Sequence, residues 1–217
     1  MPKQAELGTK SRICVPGLKK ISALICFGQH LGANWKICEV FTGSSVFSTY
    51  STSYSHKYSA LGFYNRQPIT VGSENSDGQR KVETLSSTGW TSLDDSPMNY
   101  LAPILIGLGN DLLMIGGKDQ DGVDAYSSSI WRLSNNNWSQ GDDLKKKVGW
   151  GSAIATGKSI FIVGGIESTS HGLSLSQRID LEENDEIAGV EQIGELGGRY
   201  FWPALFATSP DYCNSDL

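Results

Sequence analysis

Long hydrophobic runs, an excess of basic charge and histidine are what this sequence has least of. No apolar run approaches the roughly 18 residues of a membrane-spanning helix. The longest near the start, Ile21 to Phe27, is short and late for a secretory leader. Membrane insertion is therefore not expected. The expected location is cytoplasmic by default, and extracellular if further residues precede Met1. The 18 Lys and Arg stand against 23 Asp and Glu, a formal net charge of -5. That sign opposes a phosphate-binding surface, which rests on clustered cations that displace counterions, so no nucleic-acid partner is expected.

The residues of common catalytic sites are equally sparse. His30, His56 and His171 lie far apart, with no Cys or carboxylate at ligand spacing, and give no basis for a zinc or copper site. There is no Gly-x-Ser-x-Gly elbow and no activated cysteine pair. Gly157-Lys158-Ser159 resembles the end of a phosphate-binding loop, but Ser152 stands where that loop needs glycine, and a strand pattern follows. Asp119, Asp121 and Asp124 have the rhythm of a calcium loop, yet Ile130 occupies the place of its bidentate glutamate, so a Gly-Asp turn is the simpler reading. No catalytic residue, metal or cofactor is expected.

What the sequence has is punctuation. Four short apolar runs each end at a glycine: Ala23 to Gly28, Pro68 to Gly72, Leu112 to Gly116-Gly117, and Ile160 to Gly164-Gly165. Their length and apolar content mark them as buried strands. The first glycines fall at 28, 72, 116 and 164. Each run is followed by a second strand pattern, at Cys38 to Phe41, Val82 to Leu85, Ile130 to Leu133 and Arg178 to Leu181. From glycine to the end of this second strand the spans are 13, 13, 17 and 17 residues. From there to the next glycine they are 31, 31 and 31. A repeat keeps its packed parts rigid and varies only in loops, and here all variation sits in one connection. The constant span holds two more strands, one opened by Gly89-Trp90 and Asn137-Trp138, the other at Ala102 to Ile106 and Gly151 to Ala155.

Each unit thus reads as four short strands, A to D, with almost no helix signal. A four-stranded sheet of 40 to 50 residues cannot bury both faces until neighbours stack on it, so the expected fold is all-β, a propeller or partial propeller of four-stranded antiparallel blades. A β-sandwich shares the turn spacing but does not explain the constant 31-residue span. The expected boundaries are a poorly defined segment at 1–22, a repeat domain at 23–207 and a tail at 208–217. Its units are 23–50, 59–93, 102–142 and 151–194, with a terminal strand at 202–206.

These residues resemble kelch repeats, whose blade carries a hydrophobic run closed by Gly-Gly and a Trp downstream. Met114-Ile115-Gly116-Gly117 and Ile162-Val163-Gly164-Gly165 match the doublet, and Trp90 and Trp138 match the tryptophan. Leu85, Leu133 and Leu181 replace the usual third-strand tyrosine, and Phe27-Gly28-Gln29 replaces the first doublet. The resemblance implies a noncatalytic scaffold that binds a protein partner through loops on one propeller face. Two alternatives are a carbohydrate-binding lectin and a propeller enzyme of the copper-oxidase type, for which no ligand set is found. Kelch rings commonly have five to seven blades, so the four units here imply a fragment, a diverged copy or an unusually small ring.

Three expectations concern particular residues. Cys14, Cys26, Cys38 and Cys213 permit three pairings; Cys26 and Cys38 lie in strands B and C of one hairpin and can face each other, whereas two small buried thiols would be the alternative. Cys14 with Cys213 is motivated only by closure of the chain ends. In that closure, Trp202 to Phe206 pairs as a strand with Ala23 to Phe27, because Cys14 to Lys20 with its Pro16-Gly17 makes a poor strand A. Finally, the variable B-to-C connections, Lys118 to Tyr126 and Glu167 to Leu173, form one side of a binding site. Lys118, Asp119, Asp121, Tyr126, Glu167 and His171 are its contacts. Asn137-Trp138-Ser139 is a formal glycosylation sequon that coincides with a turn.

Overall fold

The computed structural model describes residues 23–27, 35–122, 125–168 and 171–205. Among them there is no helix, and the chain is all-β. The first sheet contains β1 (Ala23–Cys26), β2 (Cys38–Phe41) and β3 (Val46–Ser48). The second contains β4 (Ala60–Tyr64), β5 (Gln67–Val71), β6 (Val82–Ser86) and β7 (Gly89–Ser92). A short β8 (Tyr100–Leu101) leads to β9 (Ile104–Leu108) and β10 (Asp111–Ile115); β11 (Lys118–Asp119) pairs back with β8, and β12 (Ile130–Ser134) and β13 (Asn137–Gln140) complete the third sheet. In the last sheet, β14 (Ser152–Thr156) and β15 (Ser159–Val163) are followed by the small β16 (Ile166–Ser168) and β17 (His171–Gly172) pair. β18 (Leu175–Leu181) and β19 (Ile187–Glu195) close it. Each of the three later sheets is an antiparallel meander in chain order.

Tight turns join the strands. Asn65-Arg66 and Asn135-Asn136 both take positive φ at two successive residues, the backbone of a two-residue hairpin whose twist matches its strands. Strand alternation then sorts the third sheet's side chains onto two faces. Leu113, Ile115 and Ile130 pack with Ile160, Ile162 and Ile179 of the fourth sheet. Leu105, Leu112, Met114 and Leu133 pack with Ile69, Val71 and Val82 of the second. The third sheet is therefore buried between two neighbours.

The glycine that closes each second strand has a defined reason. At Gly116, with φ of 60°, an added Cβ would lie 2.2 Å from the Val148 carbonyl oxygen, and at Gly164, with φ of 61°, 2.4 Å from that of Tyr200. The next glycine donates its N–H to the same oxygen, Gly117 to Val148 at 2.7 Å and Gly165 to Tyr200 at 2.6 Å. The doublet is thus where the link to the following unit crosses the sheet, and a side chain would displace it.

Two sequence expectations are settled at the chain's ends. Cys26 and Cys38 are directly opposite across β1 and β2, with Cα atoms 4.1 Å apart, and form a disulfide. The closing strand is corrected: Trp202 to Leu205 is not in a strand, and β1 is an edge of its sheet among the described residues. Instead the Trp202 N–H donates to the Trp150 carbonyl at 2.9 Å, and the Ser152 hydroxyl donates to the Pro203 carbonyl. The segment runs beside the start of β14, and Pro203 has no N–H to offer a ladder. Phe206, Cys14 to Lys20 and Cys213 lie outside the described residues.

Candidate functional site

The residues just before the first strands of the later sheets, together with Trp202 at the chain's end, carry the site. Tyr58, Ala102, Trp150 and Trp202 all have positive φ, between 48° and 57°. Their backbones form a ladder across the units: Ala102 N–H to Tyr58 O at 3.2 Å, Trp150 N–H to Ala102 O at 3.3 Å, and Trp202 N–H to Trp150 O at 2.9 Å. Positive φ costs a non-glycine residue energy, and the ladder holds it there. The result is convergence. Phe27, Trp35, Tyr58, Trp150 and Trp202 line a depression of about 320 Å³, with Ser59 and Pro103 among its other walls.

The rings support one another. Trp150 lies 5.8 Å from Tyr126 and 6.4 Å from Trp202, and Trp35 lies 6.0 Å from Tyr58. The Lys57 ammonium sits 5.0 Å from the centre of the Tyr58 ring and 5.7 Å from that of Trp35, within cation–π range. Trp202 is 64% exposed and Tyr58 45% exposed, so large aromatic surface faces solvent.

None of the predicted loop residues lines this depression, and of them Tyr126 touches one of its walls. The registers Ala60 with Val71, Ile104 with Ile115 and Ser152 with Val163 put the starts of first strands and the ends of second strands at one end of each sheet. The variable loops leave from that same end. Tyr126 is buried and packs its ring at a tilt against Trp150, which makes it a support of the depression. Lys118 and Asp119 are half-buried in β11, paired with Leu101 and Tyr100. The Asp119 carboxylate accepts the Asp121 N–H at 3.1 Å, while Asp121 accepts from Asn99 at 3.3 Å. Those two carboxylates are occupied in forming the turn. Glu167 lies half-buried in β16, and the His171 backbone lies in β17, its side chain being outside the described residues, as is Asp124. Among the described residues no three His, Cys, Asp or Glu are grouped to hold a metal ion.

A second polar cluster escaped sequence reasoning. His56 and Glu83 are fully buried and paired, Nε2 to Oε2 at 2.9 Å, while His56 Nδ1 lies 2.9 Å from the Gly72 carbonyl oxygen. Both ring nitrogens thus lie within hydrogen-bond distance of an oxygen. Glu83 also accepts the N–H groups of Ser53 at 2.9 Å and Tyr54 at 3.1 Å. Burial pushes the Glu83 carboxyl up, but its bonds to His56, Ser53 and Tyr54 outweigh that and hold it below its ordinary 4.5. The pair ties the link between the first two units to β6. It belongs to the framework, since the Phe27 ring, 5.2 Å from His56, stands between it and the depression.

The aromatic lead-in residues were also missed, though a signal was present. Tyr58, Trp150 and Trp202 each stand shortly before an apolar run at spacings that track the repeat. Glycine drew the alignment instead. No family model matches the chain, and no curated protein matches it. Among solved structures it is similar to one titled "Structure of YjhT", with a TM-score of 0.60 at 19% identity, over 72% of this chain and 52% of that one. The chain spans about half the length of that structure, and the likeness is one of fold.

Proposed function

We propose that the chain is a kelch-like β-propeller, or part of one, that acts as a noncatalytic binding module for a protein partner. The observation that carries this reading is the aromatic depression at the end of the sheets from which the variable loops also leave. Trp and Tyr dominate the energetics of protein interfaces because they bury large rigid surfaces at small entropic cost, and a central aromatic cluster ringed by polar loops has that anatomy. Three features support the assignment: meandering four-stranded sheets stacked face to face, glycine doublets at the crossing links, and the backbone ladder between units. The ligand seats on Tyr58, Trp150 and Trp202, and Lys118 and Glu167 contact its periphery.

The exposed flat rings also favour a second ligand class, since a sugar ring stacks on such surfaces. Proteins retained by the immobilised chain are identified, purified and titrated against the wild type, Trp202→Ala, Tyr58→Ala and a Lys118→Ala/Glu167→Ala double variant. The expected result is loss of affinity of tenfold or more for Trp202→Ala, about 1.4 kcal/mol or above, and a smaller loss for the loop variant. Unchanged affinity in both ring variants removes the site from the depression. Binding on a glycan array that Trp202→Ala abolishes assigns the ligand to carbohydrate.

A further inference from the structure

We infer that Asn137 is an acceptor for an N-linked glycan, in a chain whose Cys26–Cys38 disulfide forms in an oxidising compartment. This does not depend on the ligand proposed above. Asn137-Trp138-Ser139 satisfies the acceptor pattern, a hydroxyl residue two positions after Asn with no proline between. In the sequence the triplet is explicable as turn chemistry. In the structure the turn's backbone does not require Asn137, whose amide adds a single hydrogen bond to it. The turn between β12 and β13 is made by Asn135 and Asn136, which carry the positive φ values, and Asn137 is already the first residue of the strand.

Placement favours modification. β13 is the outer strand of its sheet, in the order β13-β12-β10-β9, and both Asn137 and Ser139 are exposed while Trp138 between them packs inward. A glycan there projects from an edge and shields it from pairing with another chain. The hydrogen bond that the Asn137 amide makes is compatible: Nδ2 donates to the Asn135 carbonyl at 3.0 Å, and a glycosylated amide keeps one N–H. The disulfide is the second, independent observation. Disulfides persist in secreted and lumenal proteins and are rare where thiols are kept reduced, which is the division that also separates glycosylated from unglycosylated chains.

In the transfer, Asn137 Nδ2 attacks the anomeric carbon of a polyisoprenyl-pyrophosphate-linked oligosaccharide. A C–N bond forms and the anomeric C–O bond breaks. The pyrophosphate leaves with the electron pair, and the amide loses one proton. The test expresses the full chain behind a cleavable leader in cultured insect cells, with peptide mapping of both the secreted and the membrane-retained pools. The expected result is a glycan on the peptide containing Asn137, removed by peptide N-glycosidase to leave aspartate, and absent in Ser139→Ala and Asn137→Gln. An unmodified Asn137 in chains whose Cys26–Cys38 bond has formed overturns the inference. So does a glycan that persists in Ser139→Ala.

Discussion

Leu112, Leu113, Met114 and Ile115 of the third sheet have no exposed surface, whereas Ile25, Phe41 and Val46 of the first are 51, 39 and 53% exposed. Both regions are built of short antiparallel strands. The third has a neighbouring sheet on each face and is held by apolar burial. Among the described residues the first has three strands and leaves the successive side chains Val46 and Phe47 exposed, and it has specific ties: a disulfide across its hairpin and the buried His56–Glu83 pair at its junction with the second sheet. A small sheet gains stability mainly from what stacks on it, and where stacking is less complete, covalent and buried hydrogen-bonded ties carry more of the load.

The largest expected effect breaks the junction. Glu83→Ala leaves His56 buried without its partner and deprives two backbone amides of an acceptor, so urea unfolding should show a loss of about 3–5 kcal/mol. The wild type should also carry an acid signature. A carboxyl depressed in the folded state adds stability that is complete above its ordinary value of 4.5 and is lost as the pH falls through the lowered value. Unfolding midpoints measured on acidification should fall in the wild type and change less in Glu83→Gln.

The core of the third sheet should respond next. Leu113→Ala removes a fully buried side chain facing the fourth sheet and should cost about 3 kcal/mol, while Ile25→Ala on the exposed face of the first should stay within about 0.5 kcal/mol. Equal losses would show that the exposed face is covered in solution. Opening the disulfide comes third: Cys26→Ser frees a loop with a sequence separation of 12, for which chain entropy gives about 2–3 kcal/mol by thermal or urea denaturation.

The smallest contrast is the sharpest. Trp90 Nε1 donates to the Tyr50 carbonyl at 3.0 Å, whereas Trp138 Nε1 is buried without a protein acceptor. Both lose the same ring on substitution by Phe, so Trp90→Phe should be more costly than Trp138→Phe by about 1 kcal/mol, the net worth of one hydrogen bond. The reverse order would place an unseen acceptor, such as ordered water, at Trp138.

These contrasts also mark how far the sequence could be read. The apolar runs at Leu112 to Ile115 and Ile160 to Val163 announced buried strands, because alternation and strand length are local properties. Cys26 and Cys38 could be placed opposite each other in one hairpin, but the choice between a disulfide and two buried thiols was left to the structure, which shows the bond. Trp202 was different: an apolar run after it looked like a strand, but its backbone is drawn to Trp150 and Pro203 cannot join a ladder. His56 and Glu83, 27 residues apart, likewise had no local mark of their pairing.

Legible in the sequence were the strands of the repeated units, their hairpins, the glycines that close the second strands and the one connection whose length varies. The strands, hairpins and varying connection depend on neighbours within a few residues, where the pleat and the turn dictate which side chain fits, whereas the close approaches that require Gly116 and Gly164 come from the distant Val148 and Tyr200. It took the tertiary structure to bring Tyr58, Trp150 and Trp202 around one depression, to set Tyr126 against Trp150, and to place Asn137 in the strand beside its turn. Those facts depend on how one sheet stacks on the next, and the spacing of Tyr58, Trp150 and Trp202 along the chain does not by itself say which side chains meet across such a stack.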